Sequence, residues 1–299
     1  MSQSLPEDLK VTLNEIVKMV NVIKSRPLQS RLFSILCEEM GCEHQSLLFH
    51  TEVRWLSRRR VLSRIYELKE ELKTFFENDT FYHNILKDSF WLQKLAYLND
   101  IYEHLNELNR KMQGKNENIL SCTDKINEFK GKIKLWINEV RTGKISMFNR
   151  CSTLNLDKQI FKLVEQHLYL LKEKLQHYFK SNRLIEFDWV RNPFTLPSEE
   201  SLQNLSMKQK EELIDNITIS QFWLIAKKEF PTISKKAIDI LLPFATTYMC
   251  EQSFSSLVTI KNIKRSCIKS LDEELRVSIS SIEPNISKLC SQHQGQISH

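Results

Sequence analysis

The chain has 299 residues, 41% of them hydrophobic, with 43 lysines and arginines against 37 aspartates and glutamates, a formal net charge of +6. That length carries one large domain or two ordinary ones with a sizeable core, and the mildly basic balance permits a nucleic-acid partner without demanding one. Only 5 glycines and 7 prolines argue for a mainly helical protein rather than a doubly wound α/β enzyme, the polar start MSQSLPEDLK offers no signal sequence, no apolar run reaches the length of a membrane span, and the 7 scattered cysteines read as free thiols of a reduced, cytosolic or nuclear setting.

In chain order, Leu9 to Lys24 carries Val11, Leu13, Ile16, Val17, Val20 and Ile23 at helical spacing. Pro27 ends that unit, a second helix runs from Leu28 to Met40, and Gly41 stops it. Leu47 to Val53 is the best strand candidate. From Ser57, a plausible N-cap, one apolar stripe runs to Phe76, and long helices follow over Phe90–Met112, Ile119–Val140 and Ile160–Phe179. Long amphipathic helices joined by short turns predict an antiparallel bundle. Ile185 to Val190 could form a short strand, and the proline-punctuated loop after it is the best internal boundary. Short helices are predicted over Met207–Asp215 and Ser220–Phe230, another through Ile238 to Leu241, and a last one over Leu271–Ile282, ahead of a disordered tail.

Ile240 to Ile260 holds one formal charge, Glu251, among apolar and small neighbours. A carboxylate in such surroundings needs a hydrogen-bond partner, a counter-charge or a metal ion. Arg54, Arg58, Arg59, Arg60 and Arg64 form the densest basic cluster, with Trp55 beside it as a base-stacking residue or a core anchor; Lys264 and Arg265 lie in a second cluster. These arginines read either as phosphate contacts or as a solvated face paired with Glu67 and Glu71. Cys37, Cys42 and His44 are close in sequence but lack the knuckle spacing and fourth ligand of a zinc site. No Walker loop, GxGxxG, GxSxG or HExxH occurs.

Two motifs carry a resemblance. HTEVRWLSR (His50 to Arg58) resembles the segment around the Arg-Trp pair of hAT-superfamily DNA transposases and their domesticated BED-zinc-finger and SCAN-associated relatives, and TYMCEQSFSSLVTIKNIKRS (Thr247 to Ser266) resembles that superfamily's C-terminal signature. The resemblance implies an RNase H-like core in which two Asp and one Glu bind Mg2+ or Mn2+, a helical domain inserted before the Glu, and a C-terminal dimerisation region. By motif Glu251 matches the catalytic Glu and Trp55 the tryptophan that handles a flipped base. The Asp pair has no match here: Asp8 alone precedes Trp55, outside any such motif. One carboxylate cannot hold two metal ions.

The expected fold is mainly α: a helical insertion-type bundle plus the C-terminal remnant of an RNase H-like domain with very few strands. Residues 1–56 are the expected core remnant, 57–219 the helical insertion domain, 220–285 the dimerisation region and 286–299 a disordered tail. The expected function is that of a non-catalytic, transposase-derived nuclear protein (a cytoplasmic setting being the alternative) that homodimerises and associates with DNA. No cofactor, metal, membrane or small-molecule substrate is expected, and Glu251 is read as vestigial. Expected DNA contacts are Arg54, Trp55, Arg58, Arg59, Lys264 and Arg265; expected dimer contacts are Phe222, Trp223, Leu241, Leu242, Phe244, Phe254, Leu257 and Leu275. The alternatives are a non-specific DNA-binding module of a nuclear regulator, and a fragment of an active transposase whose Asp motifs and BED finger lie upstream.

Overall fold

The computed structural model describes residues 5–47, 55–114, 117–179, 187–192, 218–243, 248–261, 270–280 and 285–292. Helix α1 (Glu7–Lys24) follows Pro6, carries Glu7 and Asp8 in its first turn and Lys24 in its last, and buries Leu9, Leu13, Ile16, Met19, Val20 and Ile23. Helix α2 (Pro27–Glu39) has proline at its first position. Its end is a Schellman turn: Gly41 sits at φ +74°, its N–H donates to Glu38 O at 3.0 Å, and the Cys42 N–H donates to Cys37 O at 2.9 Å.

The expected helix from Ser57 to Phe76 is two helices, α3 (Trp55–Glu67) and α4 (Lys69–Phe75), so Ser57 lies inside α3 rather than capping it. Leu68 leaves helical geometry at φ −96° and ψ 25°. The break frees α4 to meet α2 and α5 (Thr80–Lys87) while α3 lies on α6 (Ser89–Met112). Aromatic edges fill the α2–α4–α5 junction: Phe33 meets Phe75 at 5.2 Å, Phe75 meets Phe76 at 5.3 Å, and Phe76 meets Tyr82 at 4.8 Å. Helix α5 is short and went unpredicted, although Asp79 caps it by accepting from the N–H groups of Phe81 and Tyr82 at 3.1 and 3.3 Å.

Helix α6 is the axis of the bundle. Its buried residues include the polar Gln93, Asn99, Asp100 and Asn106 as well as an apolar stripe, because α1, α3, α5, α7 (Ile119–Arg141), α8 (Asn149–Ser152) and α9 (Lys158–Tyr178) all lie against it. The α7 start is a capping box between Asn118 and Ser121. Asp100, only 3% exposed, accepts from the N–H groups of Arg150 and Cys151 at 2.9 and 3.0 Å and from Arg150 Nη1 at 3.1 Å, so one carboxylate anchors the short α8 turn to the central helix. Burial raises its pKa, against the hydrogen bonds from Cys151 and Arg150 that favour the ionised form. Across the core, Tyr97 Oη and His167 Nδ1 lie 2.8 Å apart, both side chains fully enclosed.

Two short helices and one turn complete this part: α10 (Asp188–Arg191), α11 (Ile219–Ala226) and α12 (Pro231–Leu241). Of the strand expected over Ile185–Val190, Ile185 and Glu186 lie outside the described residues, and the described remainder is not a strand. Asp188–Arg191 forms a helical turn, held by Arg191 Nη2 donating to Leu120 O at 3.1 Å and by Val190 O accepting from the Trp223 indole. There is no strand among the described residues; of the other strand candidate, Leu48 to Val53 lie outside them, as does the helix expected over Met207–Asp215.

The chain divides into two compact units, residues 1–112 with 117–243, and residues 113–116 with 244–299. In the second, α13 (Tyr248–Ile260) and α14 (Leu271–Ile279) lie against each other, and a further helix, α15 (Ile286–Gln292), stands where a disordered tail was expected from residue 286. No helix among the described residues is long and apolar enough to cross a membrane.

Two measurements test this core. Asp100→Ala leaves Arg150 and two backbone N–H groups without their acceptor, and is expected to lower the unfolding free energy by about 3 kcal/mol in urea denaturation. His167 is held neutral, burial lowering its pKa to about 4. The unfolded imidazole titrates near 6.5, so the folded state binds fewer protons between those values. The stability this contributes is complete above about pH 6.5 and falls by about 3 kcal/mol as pH drops to about 4. His167→Gln should remove that share of the acid sensitivity, read as the wild-type minus variant difference in urea midpoints between pH 7.5 and 4.5.

Candidate association surface and basic cluster

The apolar residues expected to pair two chains separate into two sets. Helix α11 opens on a capping box in which Thr218 accepts from the Gln221 N–H and the Gln221 side chain accepts from the Thr218 N–H. Its sequence, ISQFWLIA, is apolar on nearly every side, so part of it must face outward. Phe222 and Trp223 face inward, Trp223 with 0% exposure. The Trp223 indole donates to Val190 O at 2.9 Å and meets Trp189 edge-on at 5.6 Å, and Leu120, Val190 and Ala237 complete the cluster. These two residues therefore pack within their own chain. Leu224 and Ile225 of the same helix are the exposed ones, and sequence reasoning did not single them out. Leu241 is half-buried on the same cluster, while Leu242 is exposed.

The second set keeps its surface. Along α13, Phe254 is 66% exposed and Val258, one turn on, is 71% exposed, with Leu257 half-buried beside them. Helix α14 buries no residue completely: Val277 is exposed and Leu275 half-buried. Val258 and Val277 were missed because pattern alone selects positions for an apolar face without saying how much of that face the rest of the chain covers. Phe244 lies outside the described residues. The large aliphatic and aromatic groups that these two helices leave in water gain from being covered, at about 25 cal/mol for each Å² removed.

The basic cluster is partly neutralised. Arg59 Nη2 donates to Glu103 Oε1 at 2.6 Å, and Glu103 Oε2 accepts from Arg150 Nη1 at 2.9 Å. Burial opposes ionisation of Glu103, but the hydrogen bond from Arg150 and the charge of Arg59 outweigh it and hold the carboxyl below its usual pKa. Arg64 donates to Ser46 O at 2.8 Å and lies 3.5 Å from Glu67. Arg60 remains exposed. Trp55 and Arg58 belong to α3, and Glu251 to α13, but their side chains lie outside the described residues, as do Arg54, Lys264 and Arg265 altogether.

Around the cysteines, the Cys42 thiol donates to Glu71 Oε1 at 2.8 Å, which raises its pKa, and burial pushes the Cys37 thiol up to about 11. Among the described residues no three His, Cys, Asp or Glu side chains are placed to hold a metal ion.

Comparison with known proteins places these features. The FAM200/GTF2IRD2 helical domain matches residues 6–141, and the hAT family C-terminal dimerisation region matches residues 199–281. General transcription factor II-I repeat domain-containing protein 2 of Bos taurus is 30% identical over 261 residues, which cover 81% of this chain and 27% of that relative. The chain thus spans about a quarter of the length of that curated protein. No solved structure matches.

The assignment of Trp223 to the core has a direct check. Trp223→Ala is expected to lower stability by about 3 kcal/mol or more in thermal or urea unfolding, as for other buried aromatic truncations, whereas Phe254→Ala should change it by less than about 0.5 kcal/mol in the separated chain.

Proposed function

We propose that this chain, which belongs to the transposase-derived proteins of the hAT superfamily, works by self-association through its C-terminal helices and not by cleaving DNA. The observation that carries the reading is the exposed apolar pair Phe254 and Val258, one turn apart on α13 and inside the matched dimerisation region, where Val277 of α14 is exposed as well. A second copy covers that face isologously, as in most homodimers. Leu242, exposed at the end of α12 and also inside that region, is a further contact in this reading.

Against catalysis stands the carboxylate count. Among residues 1–299 only Glu251 matches the superfamily's metal-binding carboxylates, and strand cleavage by two metal ions needs a larger set. The printed name of the bovine relative, a general transcription factor II-I repeat domain-containing protein, supports a nuclear setting. DNA is the proposed second partner, met through Arg54, Arg58, the exposed Arg60, Lys264 and Arg265; Arg59 is engaged by Glu103 and contributes least.

Light scattering on the full chain tests the central point. A dimer is expected for the wild type, and a monomer of unchanged helicity for Phe254→Glu/Val258→Glu, since two carboxylates cannot be buried unpaired in an apolar contact. A wild-type chain that stays monomeric at high micromolar concentration overturns the proposal.

A further inference from the structure

Helix α2 has two apolar faces. Phe33 and Cys37 point into the bundle. Leu28, Leu32 and Ile35, at positions i, i+4 and i+7, form a separate stripe that is 65%, 47% and 50% exposed, and Glu39, four residues after Ile35, ends it. An amphipathic surface helix normally turns charged or polar residues to that side.

The charges on α2 are also placed against its own dipole. Its first turn has no acid and its last turn no base; Glu38 and Glu39 stand at the C-terminal end, where the partial charge is already negative, and Arg31 stands toward the N-terminal half. Among the described residues none of these three has an ion-pair partner, and all three are exposed. This order is unfavourable for a solitary helix and complementary to the same helix run in reverse. Arg31 and Glu38 are seven residues apart and so share one flank of the stripe. When Leu32 and Ile35 of one copy interleave with Ile35 and Leu32 of another across a two-fold axis, Arg31 of each copy comes beside Glu38 of the other, and the two helix dipoles oppose.

We infer that α2 is a second self-association surface, on which the α2 helix of another copy of this chain docks antiparallel through Leu28, Leu32 and Ile35, with its register set by Arg31 and Glu38. This surface is distinct from the C-terminal face and does not depend on it. A single helix of 13 residues offers less than the ~1,200 Å² typical of stable interfaces, so the contact is weak and reversible. It becomes populated where copies are held together by other means, at effective concentrations on the order of millimolar.

The test is sedimentation of the full-length Phe254→Glu/Val258→Glu chain up to about 0.5 mM, which removes the C-terminal contact and leaves α2 to act alone. A reversible monomer–dimer equilibrium is expected. Leu32→Asp, an exposed change whose fold is checked by circular dichroism, should abolish it. Glu38→Arg/Glu39→Arg should weaken it at least about tenfold by setting like charges together, and adding Arg31→Glu to that chain should restore it. A strict monomer over the whole range overturns the inference, whether or not some other protein covers the stripe. So does a charge reversal whose effect is the same with and without Arg31→Glu. If Phe254→Glu/Val258→Glu leaves a tight dimer, it is the C-terminal reading that fails; Leu32→Asp then decides this one, dissociation of that dimer supporting it and an unchanged dimer overturning it.

Discussion

A single carboxylate on the central helix fixes how the bundle is put together. Asp100 is buried on α6, where burial works against its charge and Arg150 and two backbone N–H groups favour it. Arg150 then reaches Glu103, and Glu103 reaches Arg59 on α3. A chain of alternating charges therefore ties α3, α6 and the α8 turn together. Asp100 and Arg150 are its desolvated members, while Glu103 and Arg59 are more than a third exposed, so the penalty for losing a partner falls mainly on Asp100 and the α8 turn it holds. The apolar residues around it (Leu62, Ile65, Leu98, Ile101) supply most of the driving force but would tolerate sliding.

The same network constrains what the basic cluster can do. An arginine already hydrogen-bonded to a carboxylate has lost part of the charge it could offer a phosphate. Arg59 is in that position, and Arg64 is largely committed to Ser46 and Glu67. The density of arginine in SRRRVLSR thus overstates the charge available to a partner, because part of it serves the bundle.

Hydrophobic surface is distributed unevenly between the two units. In the first, α6 and its neighbours enclose a continuous core, and Trp223 closes a smaller cluster by donating its indole N–H to Val190. In the second, α13 and α14 leave Phe254, Val258 and Val277 in water. Fewer elements enclose less volume, so a small unit has fewer ways to hide a large side chain. Self-association is the economical remedy, and it suits a region whose sequence matches a dimerisation module. Helix α2 shows the same excess on a smaller scale, at the rim of a unit that is otherwise well filled.

Much of the fold was legible from sequence. Pro27 and Gly41 mark helix ends by local chemistry, and the stripes of α1, α6, α7 and α9 give their inward faces, because both signals depend on neighbours within a few residues. The motif around Glu251 and the exposed Phe254 was likewise readable, as a resemblance and as an apolar surplus. What sequence could not decide was which apolar residues stay outside. Phe222 and Phe254 look alike in their own helices, yet Val190 and Leu120, far away in the chain, cover one and not the other. The break at Leu68, the helical turn at Asp188 and the pairing of Arg59 with Glu103, 44 residues apart, were also decided by contacts between distant segments. Local propensity determined the helices, and only the tertiary structure, by burying some faces and leaving others in water, determined which of them are free to meet a partner.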